Sequence, residues 1–393
     1  MSATIYLDNS ATTRVRDEVV EAMLPYFTTM WGNASSIHSL GRRSKQAIET
    51  ARMQVAQLLN CQPDEIHFTP SATYSNNIAL LGRARFIEAN NLGRHVITTT
   101  IEHPAVLNPV KHLESHGFDV TYLKVDKHGL VSTEALRKAM RKDTSIVSVM
   151  WANNEVGSIQ PIEEMAALAT EYGAYFHTDA VQVVGKIPMD LQTINVSTLS
   201  ISGHKCYAPK GIGVLYIRRG INVMPVVYGS GQEKGLCPGT EGVANIVAMG
   251  KAAELCAQDL ADEETKLRLL QKIFIEKLLT VPGVSLTGPS DMNQRLPGHV
   301  SLLVPGAGGE GLVMRLDLKG ICISSGSACH SGSMQASQVL QAMGIRACDA
   351  SGAVRITPGY FNNETECRKA ANILAEVFTA LCTTEPSQVK AFN

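Results

Sequence analysis

Several features that would point to other classes of protein are missing from this sequence. Its nine cysteines include no Cys-x-x-Cys pair and no metal-ligand spacing, which argues against a disulfide framework and against a metal site. The formal net charge is -1, so the composition favours neither nucleic acid nor an anionic membrane as a partner. No membrane-spanning apolar run and no signal peptide are visible. We therefore expect a protein of a reducing compartment, by default the cytoplasm.

The order of apolar and polar runs predicts an α/β fold. With 393 residues, 45% of them hydrophobic, the chain is long enough for a large domain and a smaller one. From about residue 64 to about residue 217 short β-type runs alternate with helical stretches, which predicts a mainly parallel seven-stranded sheet flanked by helices. The predicted strands are Ile66–Thr69, His95–Thr100, Val120–Val125, Ile146–Trp151, Ala174–Thr178, Thr198–Ser202 and Gly213–Ile217.

A second and smaller α/β pattern follows. Helical periodicity covers Ser44–Leu59, about Asn245 to Leu279, and Cys367–Cys382. After Pro282-Gly283 the sequence predicts a strand over His299–Val304, a helix over Glu310–Lys319 and a strand over Ile321–Ser324. We predict a large domain of residues 15–260 and a small domain of residues 1–14 and 261–393.

Lys205 is the most informative single residue. It ends the segment Ser202-Gly203-His204-Lys205, directly after the predicted strand Thr198–Ser202. A lysine at the end of a buried strand is costly unless it is paired or chemically used. One use is a Schiff base with pyridoxal phosphate (PLP), which needs a desolvated amine of lowered pKa. Taken alone, Lys205 would be interpreted as a surface-loop lysine.

Asp179 changes that interpretation. It follows the predicted strand Ala174–Thr178, about one βα unit before Lys205. Both residues then lie at carboxyl ends of strands, where open α/β sheets bind ligands. A PLP enzyme needs an acidic residue at the pyridine nitrogen to keep it protonated. The alternative role for Asp179 is an N-cap of the next helix.

Two further segments supply parts of such a site. Pro70-Ser71-Ala72-Thr73 follows a strand and leads into a helix predicted to start near Ser75, so its backbone N–H groups can hold a phosphate. His103 follows the end of the strand His95–Thr100. An imidazole there can stack on a pyridine ring and move protons near neutral pH. Each signal is weak alone, since turns also serve as plain caps and most loop histidines have no special role.

A cysteine in a loop of small residues completes the set. Cys329 lies in Ser324-Ser-Gly-Ser-Ala-Cys-His-Ser-Gly332, and glycine and serine there predict an exposed and mobile loop. His330 is a neighbour that could partner the thiolate. The alternative is a small buried hydrophobic cysteine, which fits Cys322 in the preceding apolar strand better.

These motifs together resemble the NifS/IscS-type cysteine desulfurases, PLP enzymes of class-V aminotransferase type with fold type I. The most specific are Ser202-Gly-His-Lys205 and the Cys329 loop. The resemblance extends from Tyr6-Leu-Asp-Asn-Ser-Ala-Thr-Thr13 and Gly32-Asn-Ala-Ser-Ser-Ile-His38 to Val354-Arg-Ile-Thr-Pro-Gly359. It implies a PLP-dependent transferase with a large domain and a smaller α/β domain.

The resemblance also implies roles for the cofactor-binding residues. Lys205 would carry PLP and take the α-proton of the substrate, Asp179 would pair with the ring nitrogen, and His103 would stack on the ring. The phosphate would be held by four residues of one chain, namely Ala72, Thr73, Ser202 and His204. Thr240 would reach the phosphate from the other subunit, which implies a homodimer.

The remaining implied roles concern the substrate L-cysteine. Gln182 and Asn154 would contact the cofactor ring oxygen or the substrate. Arg355 would bind the substrate carboxylate with a bidentate fork. Cys329 would attack the substrate sulfur, giving L-alanine and a persulfide that is delivered to an acceptor such as an iron–sulfur scaffold protein. Lys205, His103 and Cys329 would be the catalytic residues.

Some positions depart from the family pattern and leave alternatives open. The departing residues are Ser71, Tyr74, Cys237, His330 and Tyr360. Two of them, Cys237 and Tyr360, replace arginines, and a lost charged hydrogen bond costs roughly 1.5–3 kcal/mol. The alternatives are a selenocysteine lyase, similar in its Ala-Cys-His-Ser segment, another carbon–sulfur lyase, or a degenerate scaffold subunit of sulfur transfer.

Overall fold

The computed structural model describes residues 4–326 and 336–383. The strands are β1 Ile5–Tyr6, β2 Ile66–Thr69, β3 His95–Thr99, β4 Asp119–Leu123, β5 Thr144–Ser148, β6 Tyr175–Asp179, β7 Thr198–Ser202, β8 Gly213–Ile217, β9 Ser285–Leu286, β10 Val300–Leu303, β11 Ile321–Cys322, β12 Ser324–Ser325 and β13 Ala353–Ile356. The α-helices are α1 Asp17–Met23, α2 Pro25–Thr28, α3 Ser39–Leu59, α4 Ala72–Asn77, α5 Arg83–Ala89, α6 Pro104–Ser115, α7 Thr133–Ala139, α8 Ile162–Glu171, α9 Val243–Leu278, α10 Gly309–Asp317, α11 Gln338–Ala342, α12 Ala347–Ala350 and α13 Glu364–Thr383. No helix in these ranges is both long and apolar enough to span a membrane.

The large sheet has seven strands in the order β2-β8-β7-β6-β5-β3-β4. Strand β8 runs antiparallel to β2 and β7, and the other neighbouring pairs are parallel. Every residue of β2, β3, β6, β7 and β8 is buried, as expected where helices cover both faces of a sheet. The predicted mainly parallel seven-stranded sheet is confirmed.

Helices α3 and α9 pack together against one face of this sheet. Val55 and Leu59 of α3 and Met249 of α9 are fully buried in one core with residues of the strands. Complete burial of each such side chain contributes about 1.5–3 kcal/mol. Gly250 permits the close approach, because a Cβ atom there would lie 2.5 Å from the Cα of Ala51.

A second core lies around the sheet β12-β13-β10-β9. Strand β1 pairs in parallel with β11, so the start of the chain packs with its last third. Helix α9 contributes to both cores, with Ile246 and Cys256 in the first and Leu270 and Leu278 in the second. On this basis we propose the domain division predicted above, whose boundary at residues 260 and 261 falls within α9.

Several strand bounds differ from the predictions by one to three residues, the helix predicted from Ser44 begins at Ser39, and Asp179 is the last residue of β6 rather than the residue after it. Three further differences have a clear physical reason. The strand expected over Ile321–Ser324 is two strands interrupted at Ile323, because β11 pairs with β1 whereas β12 pairs with β13. Strand β13 was not predicted, because Arg355 interrupts the apolar pattern of its four residues. Helix α4 begins at Ala72 rather than near Ser75, because the Ser71 hydroxyl caps it by accepting from the Tyr74 N–H at 3.2 Å.

Candidate active site

A cavity of about 640 Å³ lies at the edge of the large sheet where the parallel strands end. Ten of the twelve predicted site residues line it, namely Ala72, Thr73, His103, Asn154, Asp179, Gln182, Ser202, His204, Lys205 and Arg355. Thr240 lines a neighbouring cleft, and Cys329 lies outside the described residues. The carboxyl ends of parallel strands meet at one edge of a sheet, which explains how residues far apart in sequence converge there.

Lys205 ends a short 3-10 turn directly after β7. Its ammonium Nζ donates to the backbone oxygens of Ser10 at 2.5 Å and Ala11 at 2.7 Å. The same segment is fixed by Thr13, whose backbone N–H donates to the oxygen of His204 at 2.9 Å. Residues 10–13 therefore form one wall of the cavity, a role that the sequence analysis did not assign to them.

The backbone after Lys205 is held in an unusual conformation. Tyr207 has a φ of 65°, and a left-handed conformation at a bulky residue costs on the order of 1–3 kcal/mol. Its N–H donates to the Thr13 hydroxyl at 2.9 Å, and its own hydroxyl accepts from the Tyr360 N–H at 2.8 Å. These bonds fix the segment that presents Lys205.

Asp179 is 6% exposed, is the last residue of β6 and lines the cavity. One carboxylate oxygen accepts from the Val181 N–H at 3.0 Å, and the other accepts from the Asn76 amide at 2.8 Å. The segment that follows is a series of turns rather than a helix, so Asp179 is not a helix N-cap. Asn76 was missed in the sequence, although its spacing of four residues from Ala72 places both on one face of a helix.

The predicted phosphate turn lies at the start of α4. The first backbone N–H groups of a helix have no partner within it, and here they belong to residues facing the cavity, Ala72 and Thr73. Strand β8 approaches closely because Gly213 has no side chain, since a Cβ there would lie 2.6 Å from the Ser71 carbonyl carbon. This part of the cavity can therefore hold an anionic group.

The opposite side of this turn is polar and includes two cations. Ser202, His204, Lys205 and Lys210 line it. Burial, with Lys205 and Lys210 nearby, lowers the pKa of His204 to about 4. His204 is therefore neutral at pH 7, and its Nδ1 lies 3.2 Å from the Thr12 hydroxyl. Lys210 was not among the predicted residues, and a lone exposed lysine gives no sequence signal.

Arg355 comes from β13 and is 4% exposed. Its Nη2 pairs with the Asp8 carboxylate at 2.8 Å, and its Nη1 donates to the backbone oxygen of Asn154 at 2.9 Å. Its Nε is buried without a hydrogen-bond partner in the described part of the chain. A buried donor without a partner is costly. Asp8 is a further residue that the sequence analysis missed.

His103 and Gln182 are oriented by their neighbours. His103 caps α6, and its Nδ1 accepts from the Ala105 N–H at 3.1 Å. The Gln182 amide donates from Nε2 to the Ser10 oxygen at 3.1 Å and accepts at Oε1 from Lys186 Nζ at 3.3 Å. Burial, followed by the charge of Lys205, lowers the pKa of Lys186 to about 7. The amide of Gln182 therefore has one defined orientation.

Thr240 lies in a smaller cleft that shares Pro70 and Gly211 with the cavity. The loop that carries it is held by Glu233, whose carboxylate pairs with Arg52 through two contacts of 2.9 Å. Glu233 adopts a φ of 46° to make them, and such paired charged hydrogen bonds are strong.

The departures from the family pattern have separate explanations. Ser71 caps α4, and Cys237 lines the cleft with Thr240. Tyr360 does not line the cavity and lies between two cations, 4.0 Å from Arg16 and 5.2 Å from Lys266. The packing of Tyr74 beside Leu236 is apolar. His330 lies outside the described residues.

Comparisons with known proteins agree with this architecture. The model of the family "Aminotransferase class-V" matches residues 5–368, so the chain belongs to the class-V aminotransferase family. Within that family its relatives are cysteine desulfurases. Cysteine desulfurase IscS of Dictyoglomus turgidum is 43% identical over 387 residues, covering 98% of this chain and 97% of the relative. Cysteine desulfurase IscS of Methanosarcina thermophila is also 43% identical, over 99% of this chain and 95% of that protein.

A solved structure shows the same fold. A NifS-like protein superposes with a TM-score of 0.89 at 37% identity, covering 96% of this chain and all (100%) of that one. The resemblance to the NifS/IscS-type cysteine desulfurases and the predicted PLP fold type I are confirmed.

Proposed function

We propose that this chain is a PLP-dependent cysteine desulfurase that converts L-cysteine to L-alanine and leaves a persulfide on Cys329. The observation that carries the proposal is the convergence of Lys205 and Asp179 on one cavity with an anion-binding turn beside them. The family membership and the names of the relatives support the same reaction.

The residues present fit PLP. A carboxylate, Asp179, lines the cavity, and the start of α4 with Ser202 and His204 offers donors to a phosphate. Lys205 lines the same cavity and offers an amine to an aldehyde. The polar groups of the cavity therefore match the ring nitrogen, the aldehyde and the phosphate of PLP.

Each residue then has a definite task. When bound, PLP supplies an electron sink that stabilises negative charge at the substrate α-carbon. Asp179 would hold a proton at the pyridine nitrogen, and Arg355 would orient the substrate by its carboxylate. Lys205 Nζ would take the α-proton of the substrate. His103 would contribute to holding the cofactor and would exchange protons with the substrate.

The sulfur transfer would be the work of Cys329. Its thiolate attacks the sulfur of the substrate, so that an S–S bond forms as the C–S bond breaks. The electrons of the C–S bond remain on Cβ, which takes up the proton lost by the Cys329 thiol, and the α-proton held by Lys205 returns to Cα. The products are alanine and an enzyme persulfide. The balance requires no external oxidant. A protein acceptor, such as an iron–sulfur scaffold of the cytoplasm, would then receive the sulfur.

We further propose a homodimer in which Thr240 completes the partner's phosphate site. The loop of Thr240 borders a cleft of about 580 Å³ together with Ala34 and Ser35. The segment containing these two residues exposes Trp31 (66% exposed) and Ile37 (90% exposed). Large exposed apolar side chains of this kind mark interaction surfaces, and a second copy of the chain would cover them.

The test is PLP binding and alanine production by Lys205→Ala and Asp179→Asn. Lys205→Ala should produce no alanine from L-cysteine, and Asp179→Asn should bind PLP more weakly because it loses the charge that faces the ring nitrogen. Lys251→Ala is the matched control, since Lys251 pairs with Glu254 at 3.2 Å outside the cavity. Alanine production by Lys205→Ala at the rate of the control would refute the proposal.

A further inference from the structure

A chain of buried side chains lies behind Asp179, and none of its members was assigned a role above except Asn76. We propose that this chain orients the Asp179 carboxylate by ordering its own hydrogen bonds in one direction, through the residues Asn76, His177, Thr198 and Tyr175. The proposal deepens the proposed function, because it concerns the residue that would pair with the cofactor nitrogen.

The chain is continuous. The Asn76 amide donates to Asp179 at 2.8 Å, and its oxygen lies 3.0 Å from His177 Nε2. His177 Nδ1 lies 2.9 Å from the Thr198 hydroxyl, which in turn lies 2.6 Å from the Tyr175 hydroxyl. His177, Thr198 and Asn76 are 0% exposed and Tyr175 is 2% exposed. Water therefore has no access to compete for these bonds.

The chemistry of the donors fixes the position of every proton. An ionised carboxylate only accepts, so Asn76 must turn its NH₂ group toward Asp179 and its oxygen toward His177. The Nε2 atom of His177 must then carry the hydrogen, which leaves Nδ1 as an acceptor. The Thr198 hydroxyl must donate to Nδ1, and its oxygen must accept from Tyr175. The single Tyr175 hydrogen has two acceptors in reach, and the Thr198 oxygen at 2.6 Å is closer than the Ala79 oxygen at 3.0 Å. The ionised state of Asp179 thus requires the Nε2–H tautomer of His177.

Protonation of Asp179 would require the opposite order. Asp179 would donate to the Asn76 oxygen, the flipped amide would donate to His177 Nε2, and Nδ1–H would donate to Thr198. Thr198 would then donate to Tyr175, which would use its own hydrogen on the oxygen of Ala79, 3.0 Å away. In the observed structure both oxygens of Asp179 accept hydrogen bonds, from Asn76 and from the Val181 N–H. This geometry matches the ionised arrangement.

The other titratable groups near this chain do not disturb it. Burial lowers the pKa of His177 to about 3, so His177 stays neutral and relays orientation rather than charge. Burial raises the pKa of Glu102 to about 8, with Asp179 adding a smaller contribution. Glu102 is therefore largely protonated at pH 7. The Arg83 guanidinium lies 5.3 Å from the centre of the Tyr175 ring, and its Nη1 donates to the backbone oxygen of Asn222 at 3.2 Å rather than to a member of the chain.

The first test is the tautomer of His177, measured from its ¹⁵N side-chain shifts in the full-length protein with and without PLP, with His177→Gln used to assign the signal. We expect the Nε2–H form in both states. An Nδ1–H form in the PLP-loaded protein would overturn the proposal. If the protein does not bind PLP, the proposed function is refuted. The tautomer of His177 is still measured in the cofactor-free protein, so this proposal is tested separately.

The second test interrupts the chain of hydrogen bonds at a residue that does not line the cavity. Thr198→Val removes the hydroxyl between His177 and Tyr175 and should raise the dissociation constant of PLP about 5-fold or more, since a buried bond to a polar partner is lost. Thr198→Ser keeps the hydroxyl and should bind PLP with the affinity of the unchanged protein. Thr178→Val is the matched control, because the Thr178 hydroxyl is also buried in β6 but has no partner among the described residues.

A milder variant keeps the test decisive if Thr198→Val does not fold. Tyr175→Phe removes only the last donor and should weaken PLP binding by a smaller factor while shifting His177 toward a mixture of tautomers. Equal PLP affinity in Thr178→Val and in the chain-breaking variants, with unchanged His177 shifts, would contradict the proposal.

Discussion

Replacing Arg355 by lysine should damage substrate binding more than folding. Arg355 uses two of its nitrogens for Asp8 and Asn154, at 2.8 and 2.9 Å, and its side chain lines the cavity. A lysine has one nitrogen in place of three, so it cannot hold Asp8 and a substrate carboxylate in the same planar arrangement.

The expected magnitude follows from the bonds lost. At least one charged hydrogen bond to the substrate disappears, worth about 1.5–3 kcal/mol, which corresponds to roughly a 10- to 150-fold loss in kcat/KM. The assay is alanine formation from L-cysteine by PLP-loaded protein over a range of substrate concentrations. PLP affinity should change little, because Arg355 is assigned to the substrate and not to the cofactor.

Arg218→Lys is the matched control for the loss of an arginine fork. Arg218 donates to the backbone oxygens of Val196, Leu191 and Ile194 at 2.6–2.9 Å and does not line the cavity. It should lower the melting temperature without a selective loss of kcat/KM. A decrease of less than about 3-fold for Arg355→Lys, which corresponds to only ~0.7 kcal/mol, would refute the assignment of Arg355 to the substrate carboxylate.

Three further predictions concern the phosphate site and pH. Thr240→Val and Lys205→Ala should each be inactive as homodimers. A mixture of the two variants should regain activity, because one active site of the mixed dimer combines Lys205 of one chain with Thr240 of the other. Absence of activity in the mixture would contradict an active site built from two chains. Ser71→Ala should lower stability by about 1 kcal/mol and weaken PLP binding, whereas Ser132→Ala, which uncaps α7 outside the cavity, should only lower stability. Burial lowers the pKa of His177 to about 3 in the folded protein, whereas a histidine in an unfolded chain has a pKa of about 6.5. Between these two values the unfolded chain binds more protons, so the free energy of unfolding should decrease as the pH falls from about 6.5 toward 3, by up to ~1.4 kcal/mol per pH unit. In thermal melts, the stability of His177→Gln should depend less steeply on pH.

The large sheet was predictable because its strands are short apolar runs between turn signals. Ile66–Thr69, Thr198–Ser202 and Gly213–Ile217 have the same bounds in the structure as in the prediction. The antiparallel direction of β8 was not predicted, since periodicity reports burial and not direction. Strand β13 was missed for the same reason that makes it useful, because its four residues place a charged arginine in a buried strand.

The candidate site was predictable where a motif identified it. Asp179 ends one strand and Lys205 follows another, so their convergence could be expected from the fold alone. Asn76, Lys186 and Lys210 were missed because they lie in no motif, and Asp8 was given no role although it lies in one. Asn76 and Asp8 act through a partner that is distant in sequence, and only the tertiary structure brings the two together.

The persulfide mechanism is best tested by measuring alanine and sulfide release from L-cysteine by the PLP-loaded protein and by Cys329→Ala, under reductant, with L-selenocysteine as a parallel substrate. We expect Cys329→Ala to bind PLP normally but to yield almost no alanine from L-cysteine. Equal turnover of L-cysteine by the two proteins would contradict the persulfide mechanism. Turnover of L-selenocysteine alone would instead identify a selenocysteine lyase, and no turnover of either substrate would favour a scaffold role.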